Sequence, residues 1–161
     1  MELVIANRQR THKINGRCLR QVVLALLREL NQEGAELGIQ LVGAREMARV
    51  NWQFLQHEGS TDVITFDHGA ADRGLRPGRA GLHGELFICI DDAVAQAAQF
   101  HTTWQSEVVR YVVHGVLHLL GHDDLQPAGR RKMKREENRL VRHLQQTFSL
   151  AQLARTVKLD S

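Results

Sequence analysis

The sequence has few cysteines and no long apolar segment, and both absences narrow the class of protein. Its two cysteines, Cys18 and Cys89, lie far apart and form no C-x-x-C pair, which excludes a disulfide framework and a thiolate zinc site. No segment reaches the ~7–15 apolar residues of a secretory signal core or the ~18 of a membrane span. We therefore expect a protein of the reducing cytoplasm with no membrane partner.

The pattern of apolar residues predicts one α/β (α+β) domain over residues 1–161. Period-two alternation and β-branched residues predict strands over Glu2–Ala6, Leu37–Leu41, Thr61–Phe66 and Glu85–Ile90. Helical spacing predicts helices over Gly16–Gln32, through Met47 and Val50, after Asp91 or Asp92, from Thr103 or Ser106 to Leu120, and after Pro127. Three residues are expected at helix ends: Asn15 as the cap of the first helix, Gly34 as its stop, and Asp91 or Asp92 as a later cap.

Two further segments stand out by composition. The glycine-rich stretch from Asp67 to His83 predicts a long, flexible loop, and loops of this length are often functional. Although the formal net charge is only +3, the segment Gln126–Gln146 is strongly basic. It is interpreted either as a solvated helix face or as a surface for a polyanion. Its cations are Arg130, Arg131, Lys132, Lys134, Arg135, Arg139 and Arg142.

The stretch from His114 to Asp124 predicts a metal site. His114 and His118 are four residues apart on a predicted helix, so their imidazoles lie one turn apart on the same face. Gly121 can adopt a positive φ and end the helix, which would bring Asp124 back to the same ion. Three protein ligands with an open position are typical of catalytic zinc, whereas structural zinc has four.

The third ligand is open to alternatives at this point. Asp124 ranks first, and His122 follows if the helix continues past Gly121. Asp123 is a candidate hydrogen-bond partner of a ligand. Zinc peptidases of the HExxH type place a glutamate after the first histidine, but Gly115 occupies that position and can transfer no proton. A glutamate-assisted peptidase is therefore disfavoured, and the metal itself is expected to activate water or polarise a phosphoryl oxygen.

These motifs resemble the YbeY family, metal-dependent endoribonucleases of bacterial ribosomal RNA maturation. His114–Asp124 resembles the family motif HGxLHLxGxDH. Ser60–Phe66 (STDVITF) and Gly84–Ile90 (GELFICI) resemble its TDVLSF and GDIVIC strands, and Asn51–Phe54 matches its leucine-asparagine-x-x-tyrosine stretch. The combination and its order cover nearly the whole chain.

The resemblance implies a fold, an activity and partners. The fold is a small mixed β-sheet flanked by helices. The activity is single-strand-specific RNA cleavage with one Zn²⁺, or another divalent transition metal, and no nucleotide cofactor. The partners are ribosomal RNA and ribosomal particles, in maturation of the 3′ end of small-subunit (16S) RNA and in ribosome quality control. Metal ligation is expected from His114, His118 and Asp124, and RNA binding from Arg130, Arg131 and Lys132.

Two positions depart from the family pattern. The third ligand of the family is typically histidine, and Asp124 stands there; a carboxylate oxygen binds zinc at ~2.0–2.2 Å, and it also suits harder metals such as manganese. The family commonly has an arginine where this chain has Leu55. Another cation must serve, or nuclease activity is reduced; the candidates are His57, Arg110 and the Arg130–Arg135 cluster.

The leading hypothesis is phosphodiester hydrolysis in a cleft between the loop Asp67–His83 and the helix that carries the histidines. The catalytic base is left unassigned, with Asp62, Glu85 and Asp123 as candidates, and the 2′-hydroxyl of RNA is an alternative nucleophile. Two rival hypotheses are a metalloprotease and a non-catalytic ribosome-assembly factor in which the metal only stabilises the fold.

Overall fold

The strands form one mixed sheet. A computed structural model describes residues 1–69 and 81–154. The strands are β1 (Glu2–Asn7), β2 (Glu36–Val42), β3 (Val63–Asp67) and β4 (His83–Cys89). They lie in the order β1-β2-β4-β3, with β1, β2 and β4 parallel and β3 antiparallel to β4. The predicted class, a small mixed sheet flanked by helices, is confirmed.

Five helices accompany the sheet in the described part of the chain. They are α1 (Gly16–Glu29), α2 (Ala44–Val50), α3 (Ile90–Phe100), α4 (Trp104–Leu119) and α5 (Pro127–Thr147). A π-helical turn, Asn51–Leu55, follows α2, and a 3-10 turn, Leu150–Leu153, follows α5. Across residues 1–69 and 81–154, no helix has the length and apolarity needed to cross a membrane.

The sheet buries both of its faces. Successive residues of a strand point to opposite faces, so Ile39 and its register partner Leu86 share one face, and Val42 and its partner Cys89 share the other. The first pair belongs to the main core, which also contains the apolar faces of α1, α4 and α5. The second pair packs with Met47 of α2 in a smaller cluster. The helix with the two histidines therefore lies over the larger core.

Two glycines let α4 approach β4 closely. A Cβ at Gly115 would lie 2.7 Å from the Leu86 side chain, and a Cβ at Gly84 would lie 2.7 Å from the Phe66 carbonyl oxygen and 2.8 Å from the Leu119 side chain. Gly115 and Leu119 are four residues apart, so the same face of α4 makes both contacts. This face presses on the sheet and orients the rest of the helix.

The first helix ends differently from the prediction. Asn15 caps α1 as predicted, since its Oδ1 accepts a hydrogen bond from the Cys18 N–H at 3.1 Å. The helix ends at Glu29, however, and Gly34 is not its stop. Asn31 makes the reversal with φ 57°, and the Gln32 N–H donates to the Leu27 carbonyl. Asparagine tolerates this left-handed conformation better than most residues.

The prediction that Asp91 or Asp92 caps the next helix is wrong. Helix α3 begins at Ile90, two or three residues earlier than these caps imply, with Cys89 at the cap position and both aspartates in its first turn. The Asp91 Oδ2 instead accepts a hydrogen bond from the Ala44 N–H at 2.6 Å, at the start of α2. The cap of α2 is Gly43, which has no side chain to accept that hydrogen bond. Asp91 therefore accepts a hydrogen bond from the N-terminus of α2, although it lies in α3.

The predicted loop between β3 and β4 lies largely outside the described residues. Strand β3 ends at Asp67 and β4 begins at His83, where the His68 N–H donates to the His83 carbonyl oxygen at 2.9 Å. Residues 70–80, which make up most of the loop, are not described.

We predict that Gly84→Ala destabilises the protein, because the new methyl group would meet a backbone carbonyl and the buried Leu119 together. Overpacking of this kind costs about 1–3 kcal/mol in free energy of unfolding, measured by urea denaturation. The matched control is Gly16→Ala at the start of α1, where nothing lies within 4 Å of the new Cβ. Equal stability of the two variants would contradict the close packing of α4 on β4.

Candidate metal centre and cleft

Helix α4 positions the two histidines. Its N-terminus is capped by Thr103, whose Oγ1 accepts a hydrogen bond from the Ser106 N–H at 3.1 Å. His114 and His118 lie one turn apart on the same side of the helix, and both are partly exposed. Tyr111, one turn before His114, is buried, and its hydroxyl donates to the Asp92 carbonyl oxygen at 3.4 Å.

Gly121 reverses the chain after α4 as predicted. Its φ is 97°, a conformation that favours glycine, and the His122 N–H donates back to the Leu117 carbonyl oxygen at 3.0 Å. The chain then returns along the helix end, so that Asp124 lies beside His118. No side-chain atom within 4 Å crowds a Cβ at position 121. The conformation, and not packing, therefore favours glycine there.

The structure brings His114, His118 and Asp124 together. Their candidate ligand atoms all lie within 4.8 Å of one another, and we refer to the three residues as the His–Asp cluster. The two Nε2 atoms are 3.1 Å apart, and the His118 Nε2 lies 3.6 Å from the Asp124 Oδ2. Tetrahedral ligands at zinc distances of ~2.0–2.2 Å are roughly 3.3–3.6 Å apart. The donor types and spacing of the cluster therefore fit one zinc-class ion.

The alternative third ligands lie outside the cluster. Among the described residues, no other group of three histidine, cysteine or acidic side chains has this spacing. The Asp123 Oδ1 accepts a hydrogen bond from the Leu125 N–H at 2.8 Å, which stabilises the turn before α5. Both cysteines are buried, and burial raises the pKa of the Cys89 thiol to about 12. Asp124, and neither His122 nor Asp123, completes the geometry.

Glu137 of α5 is a site residue that the sequence reasoning missed. Its Oε1 lies 2.9 Å from the His114 Nδ1, and its Oε2 accepts hydrogen bonds at 3.0 Å from Lys134 and Arg110. Burial raises the pKa of Glu137, but the hydrogen bonds from His114 and Lys134 lower it to about 2. Glu137 is therefore an anion that orients the His114 ring. With Nδ1–H donating to Glu137, the His114 Nε2 presents its lone pair to the cluster.

A signal for Glu137 exists in the sequence. Met133, Leu140, Val141 and Leu144 form the apolar stripe of α5, and Glu137 occupies the turn between Met133 and Val141. It is one of three buried polar residues among those described, with 4% exposure. A carboxylate in an apolar stripe needs a buried partner, because burial of an unpaired charge is very costly. The sequence does not identify that partner, which is on another helix.

The His–Asp cluster borders a cleft of about 530 Å³ between α3, α4 and α5. Three cationic side chains, Arg110, Arg130 and Lys134, line this cleft together with His114 and Asp124. Of the three predicted RNA-binding residues, only Arg130 lines the cleft. Arg130 lines the cleft and donates from Nε to the Asp124 carbonyl oxygen at 3.2 Å. Arg131 and Lys132 are exposed on α5 and do not line it.

Only some of the candidate bases, and of the cations that could replace the family arginine, line the cleft. Asp62 lines the cleft, whereas Glu85 and Asp123 do not. Arg110 and Lys134 line it, whereas His57 does not. Leu55, at the position of the family arginine, is 46% exposed at the end of the π-helical turn. Cations from α4 and α5 therefore occupy the cleft.

An α/β fold with an accessible histidine and carboxylate cluster beside a cation-lined cleft is typical of metal-dependent hydrolases. Comparison with known proteins agrees with this class. The family model described as "Endoribonuclease YbeY" matches residues 4–145. The chain belongs to the Endoribonuclease YbeY family, as the sequence motifs indicated.

Individual relatives extend over nearly the same length. The Endoribonuclease YbeY of Chlorobium luteolum is 32% identical over 148 residues, which cover 92% of this chain and 99% of the relative. That of Salinibacter ruber is 32% identical over 133 residues, covering 81% and 84%. The solution structure of TM1509 from Thermotoga maritima covers 99% of both chains with a TM-score of 0.67 and 20% identity, and it supports the fold alone.

We predict that His114 of the metal-free protein titrates above its ordinary pKa of 6.5, because the hydrogen bond to Glu137 raises its pKa despite burial. His118 is expected below 6.5, because burial and the neighbouring His114 lower its pKa. The raised His114 pKa stabilises the fold below pH 6.5, and this contribution is lost as pH rises through the raised value. The low Glu137 pKa stabilises the fold above its ordinary 4.5, and this contribution is lost as pH falls towards 2.

The pair therefore contributes most between pH 4.5 and 6.5 in metal-free protein. NMR titration of the imidazoles in wild type and in Glu137→Gln measures the shift. The His114 pKa should fall towards 6.5 in the variant. A His114 pKa that is the same in both proteins would contradict the role assigned to Glu137.

Proposed function

We propose that the chain is a metal-dependent endoribonuclease that cleaves single-stranded RNA. It would bind one Zn²⁺, or another divalent transition metal, through His114, His118 and Asp124. One observation carries the proposal: the His–Asp cluster has metal-ligand spacing at the wall of a cleft that is also lined by cations. Membership of the Endoribonuclease YbeY family supports RNA as the substrate.

The residues of the chain have separable roles in this proposal. When bound, the metal would polarise a phosphoryl oxygen or lower the pKa of a water molecule. Glu137 orients the His114 ring through Nδ1, and Arg130 and Lys134 neutralise phosphates that enter the cleft. Asp62 is the candidate base in the cleft. Its Oδ1 accepts a hydrogen bond from the Val63 N–H at 2.8 Å, and its second oxygen is our candidate for accepting a proton from the nucleophile.

Cations from α4 and α5 would replace the arginine that the family carries where this chain has Leu55. Arg110 is held at the cleft by Glu137 and Asn138, at 3.0 and 2.8 Å. Arg130 is held beside the cluster by the Asp124 carbonyl oxygen at 3.2 Å. We propose that these two guanidinium groups contact the RNA backbone, whereas Arg131 and Lys132 extend the positive surface outside the cleft.

The cellular role we propose is maturation of the 3′ end of small-subunit (16S) ribosomal RNA and ribosome quality control in the cytoplasm. The basic face of α5 gives this role a physical basis, because ribosomal particles are dense polyanions. A non-catalytic assembly factor is the second candidate, favoured by Leu55. The exposure of the cluster at the cleft argues for catalysis, since a purely structural zinc has four protein ligands.

A peptidase mechanism is disfavoured by the packing of Gly115. A Cβ at this position would point at Leu86 of β4, on the face of α4 that presses on the sheet. The residue after the first histidine therefore faces the core and not the His–Asp cluster. Even a glutamate at position 115 would need α4 to move before its carboxylate could reach the cluster.

We predict that His114→Ala lowers cleavage of a labelled single-stranded RNA by at least ~100-fold, because loss of a ligand removes several kcal/mol of metal catalysis. The matched control is His143→Ala, on α5 beside Glu29 of α1, which should cleave as wild type does. Both variants are purified identically and compared by thermal unfolding. Equal cleavage by wild type and His114→Ala would assign the activity to a contaminant and favour the assembly factor.

The ends of the cleavage products distinguish the two nucleophiles. Attack by water leaves no cyclic phosphate, whereas attack by the 2′-hydroxyl of RNA leaves a 2′,3′-cyclic phosphate. We predict products without the cyclic end, identified by mass spectrometry. Cyclic ends would be consistent with a nuclease but would show that the 2′-hydroxyl, and not water, is the nucleophile.

We also predict that Asp124→Ala loses the bound metal, whereas Asp124→His retains it, because imidazole nitrogen and carboxylate oxygen bind zinc at similar distances of ~2.0–2.2 Å. His122→Ala should retain metal as well, since its side chain is outside the cluster. Elemental analysis of the purified proteins measures the metal content. If His122→Ala loses the metal and Asp124→Ala retains it, the third ligand is His122 and not Asp124.

A further inference from the structure

Phe100 is an exposed aromatic side chain inside the cleft. It is the last residue of α3, it is 60% exposed, and it lines the same cavity as His114 and Asp124. Single exposed apolar residues are ordinary on protein surfaces. Phe100 differs from such residues because its ring borders the cleft that holds the candidate metal ligands.

The end of α3 fixes the backbone at Phe100. His101 follows with φ 56° and ends α3, and the Thr102 N–H donates to the Ala97 carbonyl oxygen at 3.0 Å. The ring therefore projects from a regular helix end, so that binding of a ligand requires no ordering of the backbone at this point.

Two polar side chains that can hydrogen-bond to a nucleobase lie near Phe100. Gln96 is one turn earlier on α3 and lines the cleft with it. The Glu107 carboxylate also lines the cleft, and its Oε1 accepts a hydrogen bond at 2.7 Å from the hydroxyl of Thr102, two residues after Phe100. A carboxylate repels phosphate but accepts hydrogen bonds from exocyclic amino groups, and an amide both donates and accepts.

The cations of the cleft come from α5 and from the turn of α4 that follows Glu107. Arg130 and Lys134 come from α5, and Arg110 from α4 is paired with Glu137. The cleft thus combines a wall for phosphates with an aromatic and polar wall at the α3–α4 junction. Proteins bind single-stranded nucleic acid with this combination of cations along the backbone and aromatic rings against the bases.

We propose that Phe100, Gln96 and Glu107 form a nucleobase subsite, in which an unpaired base stacks on the Phe100 ring and hydrogen-bonds to the two polar side chains. The proposal rests on the proposed endoribonuclease function. It gives that function a physical basis for preferring single strands, because a base within a duplex cannot leave its stack to reach the ring without the cost of unpairing.

Single-turnover cleavage of a short single-stranded RNA at rising protein concentration tests the subsite, since it separates the half-saturating concentration from the maximal rate. Phe100→Ala should raise the half-saturating concentration roughly 5- to 150-fold, the loss expected for one stacked base. Phe100→Tyr should stay near wild type, and Phe100→Leu should resemble Phe100→Ala. The matched control is Trp52→Ala, which removes an equally exposed ring outside the cleft and should have no effect.

Abasic substitution of the RNA gives a readout that a purely structural role of Phe100 would not change. In wild type, loss of the base at one position should raise the half-saturating concentration, and in Phe100→Ala that position should have no further effect. Equal behaviour of Phe100→Ala and Trp52→Ala beside an active wild type would overturn the subsite and leave the nuclease intact. A wild type that does not cleave RNA would overturn the proposed function and the subsite with it.

Discussion

The contact between α4 and β4 is the constraint on which the rest of the site depends. Gly115 and Leu119 occupy the face of the helix that presses on Leu86 and Gly84 of the strand. Neighbouring residues on a helix differ by ~100° in direction, so this contact also fixes the directions of His114 and His118. A larger residue at position 84 or 115 would lift or rotate the helix, and the histidines would move with it.

The second constraint connects α4 to α5. Glu137 is buried, yet it carries its charge because His114, Arg110 and Lys134 surround it. Because Arg110 and His114 are about a third exposed and Lys134 is mostly exposed, the network contributes less to stability than a fully buried one would, and its main role is ring orientation. The network also connects α4 to α5 where the two helices line the cleft. The same hydrogen bond that orients the candidate ligand therefore helps to shape the cleft.

The sequence predicts local features of this protein better than contacts between its elements. The His114–His118 spacing, the turn at Gly121 and the return of Asp124 depend on neighbouring residues, and the structure agrees with all three. Glu137 was missed because its partner, His114, is 23 residues away on another helix. Asp91 was assigned to the wrong helix for the same reason, since the N–H that it satisfies is 47 residues away.

The direct test of the account is a crystal structure of the purified protein with anomalous scattering collected at the absorption edge of the metal. We predict one peak at ~2.0–2.2 Å from the His114 Nε2, the His118 Nε2 and an Asp124 carboxylate oxygen, with a fourth position open to the cleft. A peak coordinated by other side chains, or a fourth protein ligand that closes the site, would contradict a catalytic metal centre at the His–Asp cluster.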